Sequence, residues 1–352
     1  MNSIRLLYKN QQRRRLLWLT GFSFLMLPAA VFILLNGAAD IPGRQLLDNL
    51  VSWSGDSSHL ILWQIRMPRL AGALFGGVSL ALAGTVLQAV LKNPLAAPST
   101  LGIAQGAAFG AALGVTLSGL GGSFPGLQSI LGNIADPVLI SIFAFSFSML
   151  TTVTIILLAQ LRNAGKESII LAGVALSSLF MAGTTFLQYF ADETQLAMIV
   201  HWTFGDLARA SWPELYLMGG ITLLSTIYFF SNRLAYNALL AGDEVAQSLG
   251  INVVRLRLLS MAVASLATAV TVTFFGILGF VGLVAPHIGR RLVGSDHRFL
   301  LPLSAVLGVL ILLFADLLCQ SILDPVALPA GVITSFLGTP VFLLLLFGRR
   351  KL

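Results

Sequence analysis

An all-α protein built into a membrane is the fold class this sequence predicts, and three observations carry it. Of 352 residues, 57% are apolar and 10% charged, whereas a soluble domain has about a quarter of its residues charged. Several apolar runs reach the ~20 residues that a helix rising ~1.5 Å per residue needs to cross a hydrocarbon core ~30 Å thick. The basic residues flank these runs instead of forming a stripe, so the net charge of +7 speaks of orientation in a bilayer and not of a nucleic-acid surface. The single cysteine, Cys319, excludes an intrachain disulfide and a thiolate-held cluster.

The elements follow in order. Residues 1–15 hold Arg5, Lys9, Arg13, Arg14 and Arg15 and no acid, which predicts a cytoplasmic segment. Span 1 is Leu16–Leu35; it resembles a signal peptide, but no small-residue cleavage site clearly follows and the run is long enough to remain a span. Asn36–Gln64 reads as a polar outer loop with interfacial tryptophans. Spans 2 and 3, Leu70–Leu91 and Ser99–Leu117, are joined by the turn Lys92-Asn93-Pro94-Leu95. In span 3, Gly102, Gly106, Gly110 and Gly114 fall four apart on one helix face, a pattern that lets another helix backbone approach closely. A Gly/Ser-rich outer loop, Ser118–Asp136, leads to span 4 at Pro137–Leu161, an inner turn with Arg162 and Lys166, and span 5 at Ile169–Phe190. A short helix is expected outside, near Thr194–Phe204, before span 6 at Leu215–Phe230.

The longest inner loop, Ser231–Arg257, precedes 32 uncharged residues, Leu258–Gly289. One helix of that length would be ~48 Å, too long for the core, and two full spans need about forty residues. Both chain ends are basic, so the number of crossings should be even. The stretch is therefore expected to be one full span and one short one, broken near Gly276, Gly279 and Gly282. Spans 9 and 10, Leu300–Leu318 and Leu328–Phe347, complete ten crossings within a 16–347 membrane domain, followed by a 348–352 cytoplasmic tail. This topology puts 17 of the 21 Lys and Arg residues inside and leaves Arg44, Arg66, Arg69 and Arg209 outside, a strong positive-inside bias.

Chemical motifs are scarce. There is no Walker A sequence, no H-E-x-x-H and no G-x-S-x-G, and His59, His201, His287 and His297 lack ligand spacing, so no metal site and no enzymatic activity is expected of this chain. A gradient-driven carrier should place ionisable groups within its spans; Asp316, toward the outer end of span 9, is the one acid deep in an apolar run. Gln88 and Gln105 read as interhelical glue. In the inner loop, Asp243 can cap a short helix with Glu244 in its first turn, and Gly250 suits the left-handed position that ends it. Ala241, Val245 and Leu249 recur every four residues. That face is either laid on the membrane surface or fitted into a groove of a soluble partner.

Several motifs carry a resemblance to a family. They are Arg66-Met-Pro-Arg69, Ala83-Gly84 with Gln88, Asn93-Pro94-Leu95-Ala96 with Pro98, Leu101-Gly102 with Gly106-Ala107, and Leu171-Ala172-Gly173. They continue through Gly242-Asp243-Glu244, Leu249-Gly250, Gly279 to His287, Asp296-His297-Arg298, and Leu328-Pro329 with Gly331 and Gly338. The chain resembles the FecCD-type permeases, subunits of binding-protein-dependent ABC importers for iron–siderophore complexes, haem and cobalamin. The resemblance implies the ten-helix type II importer fold in the inner (cytoplasmic) membrane, a second permease subunit, two cytoplasmic ATPases carrying ATP and Mg, an extracytoplasmic binding protein, and no cofactor on this chain. It also implies roles. Gly242, Asp243, Glu244, Val245, Gln247, Leu249 and Gly250 resemble the coupling helix that meets the ATPase. Arg66 and Arg69 resemble arginines that meet carboxylates of the binding protein. Asn93, Pro94 and Leu95, with Gly165, Lys166, Glu167 and Ser168, resemble the inner gate. Where the family often has a third outer arginine, this chain has Gln320, and His287 and His297 are expected to pack or cap. Iron chelates are the expected cargo, with haem or cobalamin as alternatives, and a gradient-driven carrier is the rival from another class.

Overall fold

The computed structural model describes residues 2–35, 57–120, 136–161, 166–209, 211–322 and 327–347. Among them no β-strand occurs. Most of the Asn36–Gln64 and Ser118–Asp136 loops, Arg44, Arg162, Gly165 and the 348–352 tail lie outside the described residues.

The helices are α1 (Asn2–Leu35), α2 (Ser57–Val90), α3 (Ile103–Leu120), α4 (Asp136–Leu161), α5 (Lys166–Phe190), α6 (Glu193–Thr203), α7 (Trp212–Ser231), α8 (Arg233–Ala241), α9 (Asp243–Ser248), α10 (Val253–Phe275), α11 (Val281–Val293), α12 (His297–Ser321) and α13 (Ala330–Phe347). Seven of the described helices are long and apolar enough to cross a membrane, and α3 and α13 are shorter apolar helices. The starts follow local chemistry. Asp192 accepts from the Gln195 amide at 2.8 Å ahead of α6, and Asn252 accepts from Arg255 at 2.9 Å ahead of α10. Each thereby satisfies a backbone donor that the first turn leaves orphaned.

Helix α2 starts earlier than its apolar run. Residues 57–66, expected in part as outer loop, are helical and contain a π-helical stretch, Ile61–Arg66. The Trp63 carbonyl there accepts a 2.8 Å hydrogen bond from the Trp212 indole, so a residue anticipated as an interfacial anchor fastens α2 to the start of α7. Helices α2, α10 and α12 are mostly buried, whereas α1, α4, α5 and α7 keep most of their length on the surface.

Small residues allow α2 to be the hub. It crosses α12 at Gly77 and Gly308, where a Cβ on Gly77 would sit 2.6 Å from Val309 Cα. It crosses α11 at Gly84 and Gly282, where a Cβ on Gly84 would sit 1.8 Å from the Gly282 carbonyl oxygen. Gly106, Gly110 and Gly114 face α4, with virtual Cβ positions 2.3 Å from Thr151 Oγ1, 2.3 Å from the Phe143 oxygen and 2.9 Å from Ile140 Cα. Gly102 differs from the expected stripe. Its φ of +77° separates a 3-10 turn (Pro98–Leu101) from α3, so it is a hinge against α5 and not a position on a continuous helix.

The 32-residue uncharged run breaks where its glycines predicted. Helix α10 ends at Gly276 (φ +76°) and α11 starts after Phe280 (φ +61°). Irregular backbone at membrane depth is tolerated where protein satisfies its polar groups. The Phe275 carbonyl accepts from the Asp206 amide at 2.7 Å, and the Gly205 carbonyl accepts from Gly331 at 2.9 Å. The Arg209 guanidinium donates to the Trp202 carbonyl at 3.1 Å and lies 5.4 Å from the Trp202 ring. Three otherwise separate segments thus brace the break.

Candidate functional site

The loop between α7 and α10 is a compact platform. The Tyr236 hydroxyl and Ser260 Oγ lie 2.9 Å apart, joining α8 to α10. Asn237 donates to Asp296 at 2.8 Å and accepts from the His297 amide at 2.8 Å, joining α8 to the start of α12. Burial would raise the Asp296 carboxyl, but hydrogen bonds from Arg298 and Asn237 outweigh it and hold the group down at about 2.

Helix α9 is mounted on this platform. Its N-cap is Gly242, at φ +136°, and not Asp243 as local preference suggests. Asp243 is instead the first helical residue, its carboxylate drawn to Lys92 Nζ at 2.9 Å and to Arg257 at 3.1 Å. Gly250, at φ +80°, ends the helix: its amide donates to Gln247 and the Ile251 amide reaches back to Ala246, the paired bonds of a Schellman motif that spares the last carbonyls. Ala241 belongs to α8, so the outward apolar face of α9 is Val245 (43% exposed) and Leu249 (67% exposed), while Ala246 is buried. Glu244, Gln247 and Gly250 are exposed beside them.

The expected gate residues sit close to this platform in the chain's own architecture. Helix α2 ends at Val90, and Lys92 takes a positive φ of 48°. Asn93 Oδ1 then accepts from the Leu95 amide at 2.8 Å and the Asn93 carbonyl from Ala96 at 3.1 Å. This turn leaves Pro94 and Leu95 exposed. The following 3-10 turn packs on α5, where a Cβ on Gly173 would sit 2.5 Å from the Thr100 carbonyl oxygen. Glu167 and Ser168 are exposed on the first turn of α5, and Lys166 begins that helix.

At the opposite end of α2 the two arginines turn inward. Arg66 is 6% exposed and donates to the Leu34 carbonyl of α1. Arg69 reaches Asp316 of α12 at 2.7 Å, and Gln320, one turn further on, donates to the other Asp316 oxygen at 2.8 Å. Neither guanidinium points to solvent in this conformation, although both were expected to meet an outside partner.

Two further arginines also leave the places their sequence positions suggest. Arg257 donates through Nε to the Val90 carbonyl at 3.0 Å, and Arg290 reaches Gln88 of α2. Both were counted simply as inner-loop bases; the signal for Arg290 was Gln88, an amide stranded in an apolar run. His287 packs edge-on to Phe342, ring centroids 5.4 Å apart, and His297 Nδ1 lies 2.9 Å from Asn237 Oδ1. Among the described residues no three His, Cys, Asp or Glu side chains form a metal-binding group.

Comparisons with known proteins agree with this architecture. The model of the FecCD transport family matches residues 25–348. A protein of Methanocaldococcus jannaschii described as an ABC transporter permease is 46% identical over 98% of this chain and 98% of its own. The vitamin B12 import system permease protein BtuC of Citrobacter koseri is 34% identical over 97% of each. A solved structure described as an inward-facing metal-chelate type ABC transporter superposes with a TM-score of 0.80 at 29% identity, covering 94% of this chain and 99% of that one. With matching motifs, helices and overall fold across nearly its whole length, the chain belongs to the FecCD transport family of ABC transporter permeases.

Proposed function

We propose that this chain is the membrane half of an importer that moves a metal chelate, an iron–siderophore complex first among them, across the inner membrane on the energy of ATP hydrolysed by a separate subunit. In this reading ten crossings put both termini in the cytoplasm. A second permease subunit completes the passage, two ATPases with ATP and Mg engage the inner side, and a binding protein delivers cargo outside. Haem and cobalamin remain within the same reading; the vitamin B12 permease relative supports a cobalt chelate as the alternative cargo.

The observation that carries the proposal is α9. A two-turn helix with bare Val245 and Leu249, fixed to the bundle by Ala246, Asp243 and the α8 platform, is shaped to fill a groove on a soluble partner. A helix meant only to rest on lipid needs no such rigid mount. The test is reconstitution into vesicles together with a cognate ATPase and binding protein. Uptake of a ferric siderophore that requires internal ATP and ignores an imposed ion gradient is expected. Uptake by this chain alone on an ion gradient would establish the secondary-carrier reading in its place.

A further inference from the structure

We propose that Lys92 is a positioning residue that links α9 to the 92–95 turn, acting through Asp243 and Arg257. The proposal rests on the reading of α9 as the ATPase contact and adds the route by which its motion reaches the passage.

Three elements converge on one carboxylate. Asp243, the first residue of α9, gives one oxygen to Lys92 at 2.9 Å and the other to Arg257 of α10 at 3.1 Å. Arg257 simultaneously donates to the Val90 carbonyl at 3.0 Å, at the last residue of α2. The cluster therefore touches the final carbonyl of α2 and the residue that starts the turn after it. The side chains are partly buried, with Lys92 28%, Arg257 17% and Asp243 33% exposed, so water and salt screen the pair less than they screen a free surface pair.

The backbone adds direction. Lys92 is one of two non-glycine residues with positive φ among the described residues. The left-handed conformation is costly for a residue with a Cβ, and here it aims the ammonium back at α9 while the chain turns toward Asn93. The Asn93 side chain and carbonyl then lock Leu95 and Ala96 to that same turn. A displacement of α9 pulls on Lys92, and the turn carrying Pro94 and Leu95 follows as one piece. A methylene stem without its charge cannot transmit that pull. A mere staple would hold α9 in place; a transmitting link must also move the turn.

The experiment uses the complete complex with its ATPase. Nitroxide labels at Ser248→Cys or Leu95→Cys, each paired with Phe314→Cys on α12, report distances without nucleotide and in the vanadate-trapped ATP state; Ser248 is exposed on α9 and outside its apolar contact face. With Lys92 in place both labels are expected to shift. With Lys92→Met, which leaves the Asp243–Arg257 pair to seat α9, the Ser248 shift is expected to persist and the Leu95 shift to fall to less than half. Lys92→Arg is expected to restore it, and Asp243→Asn to reduce the Leu95 shift as Lys92→Met does. An unaltered Leu95 shift in Lys92→Met overturns the proposal, as does a Ser248 shift that falls in parallel. Failure of the wild-type chain to retain an ATPase would instead remove the importer reading itself, together with this link.

Discussion

Replacing Gly84 with Ala tests whether α2 is the hub on which the bundle depends. A Cβ at this position lies 1.8 Å from the Gly282 carbonyl oxygen, while ordinary contact begins at 3.4 Å, so α2 and α11 must part by about 1.6 Å along that line. The obstacle is backbone, so no rotamer change can relieve it. Nor can α2 retreat freely, because seven residues earlier it is pressed on α12, where a Gly308 Cβ would sit 2.3 Å from the Gly77 oxygen. Overpacking of this kind costs about 1–3 kcal/mol and sometimes more, and the displaced interface also forfeits dispersion contacts of ~0.1–0.2 kcal/mol per atom pair. We expect the upper end of that range and a fall in apparent melting temperature of about 5 °C or more. Thermal unfolding of detergent-purified protein measures it, with Gly220→Ala as control: nothing lies within 4 Å of that Cβ, and alanine favours the helix. A Gly84→Ala protein that melts within 1 °C of both the wild type and Gly220→Ala would refute the reasoning.

Three other outcomes follow from the same geometry. Leu249→Asp puts a charge in the exposed apolar face of α9, and Gly250→Val strains a φ of +80° by about 1 kcal/mol or more; each is expected to release the ATPase from purified complexes while leaving the fold intact, read by co-purification. Asp316→Asn leaves the Arg69 guanidinium without its counter-charge and is expected to cost about 3–5 kcal/mol, with the double variant Arg69→Met/Asp316→Asn milder than Asp316→Asn alone; melting temperatures of the wild type, Arg69→Met, Asp316→Asn and the double variant give the cycle. The Asp296 carboxyl is held near 2 against an ordinary 3.8, so its contribution is complete at neutral pH and disappears only as pH falls toward 2; the melting difference between wild type and Asp296→Asn is expected to be flat from pH 8 to 5 and to shrink below about pH 4.

Apolar length and charge bias made most of the helices legible, since each reflects a cost that lipid imposes on every residue alike. The break in the uncharged run was legible for the same reason: length and parity left room for a short helix, and the glycines marked where. What escaped were positions settled by distant partners. Residues 57–64 look like loop because their polarity is that of an interface, yet they are helical and fastened through Trp63 to Trp212. Asp243 is a good cap by local rules, but Lys92 and Arg257 hold its carboxylate. Gly102 continues a four-residue spacing, and only the packing of the 98–101 turn on α5 reveals it as a hinge. Long arginine side chains hid most, because their reach from Arg257 to Val90 or Arg290 to Gln88 exceeds anything spacing can specify.

Arg66 and Arg69 carry this argument to its sharpest point. Their three-residue spacing, at the end of the bundle that the charge bias predicts to lie outside, predicts a purpose, and a negatively charged docking partner is one answer. The chain held a second answer, 247 residues away: Asp316, an acid at the same end of the bundle inside an apolar span, which membrane energetics requires to be paired. Asp316 is 1% exposed and takes Arg69 on one oxygen and Gln320 on the other. Gln320 gives that carboxylate a neutral second donor beside the Arg69 cation. An outside carboxylate that takes Nε and Nη2 of Arg69, both now given to Asp316, displaces that residue, so docking in this manner and the opening of the α2–α12 contact are thermodynamically linked. On this logic Asp316→Asn, which destabilises the free permease, tightens binding-protein docking in the same measurement series. Docking that weakens in Asp316→Asn would instead show the closed pair to be part of the seat itself.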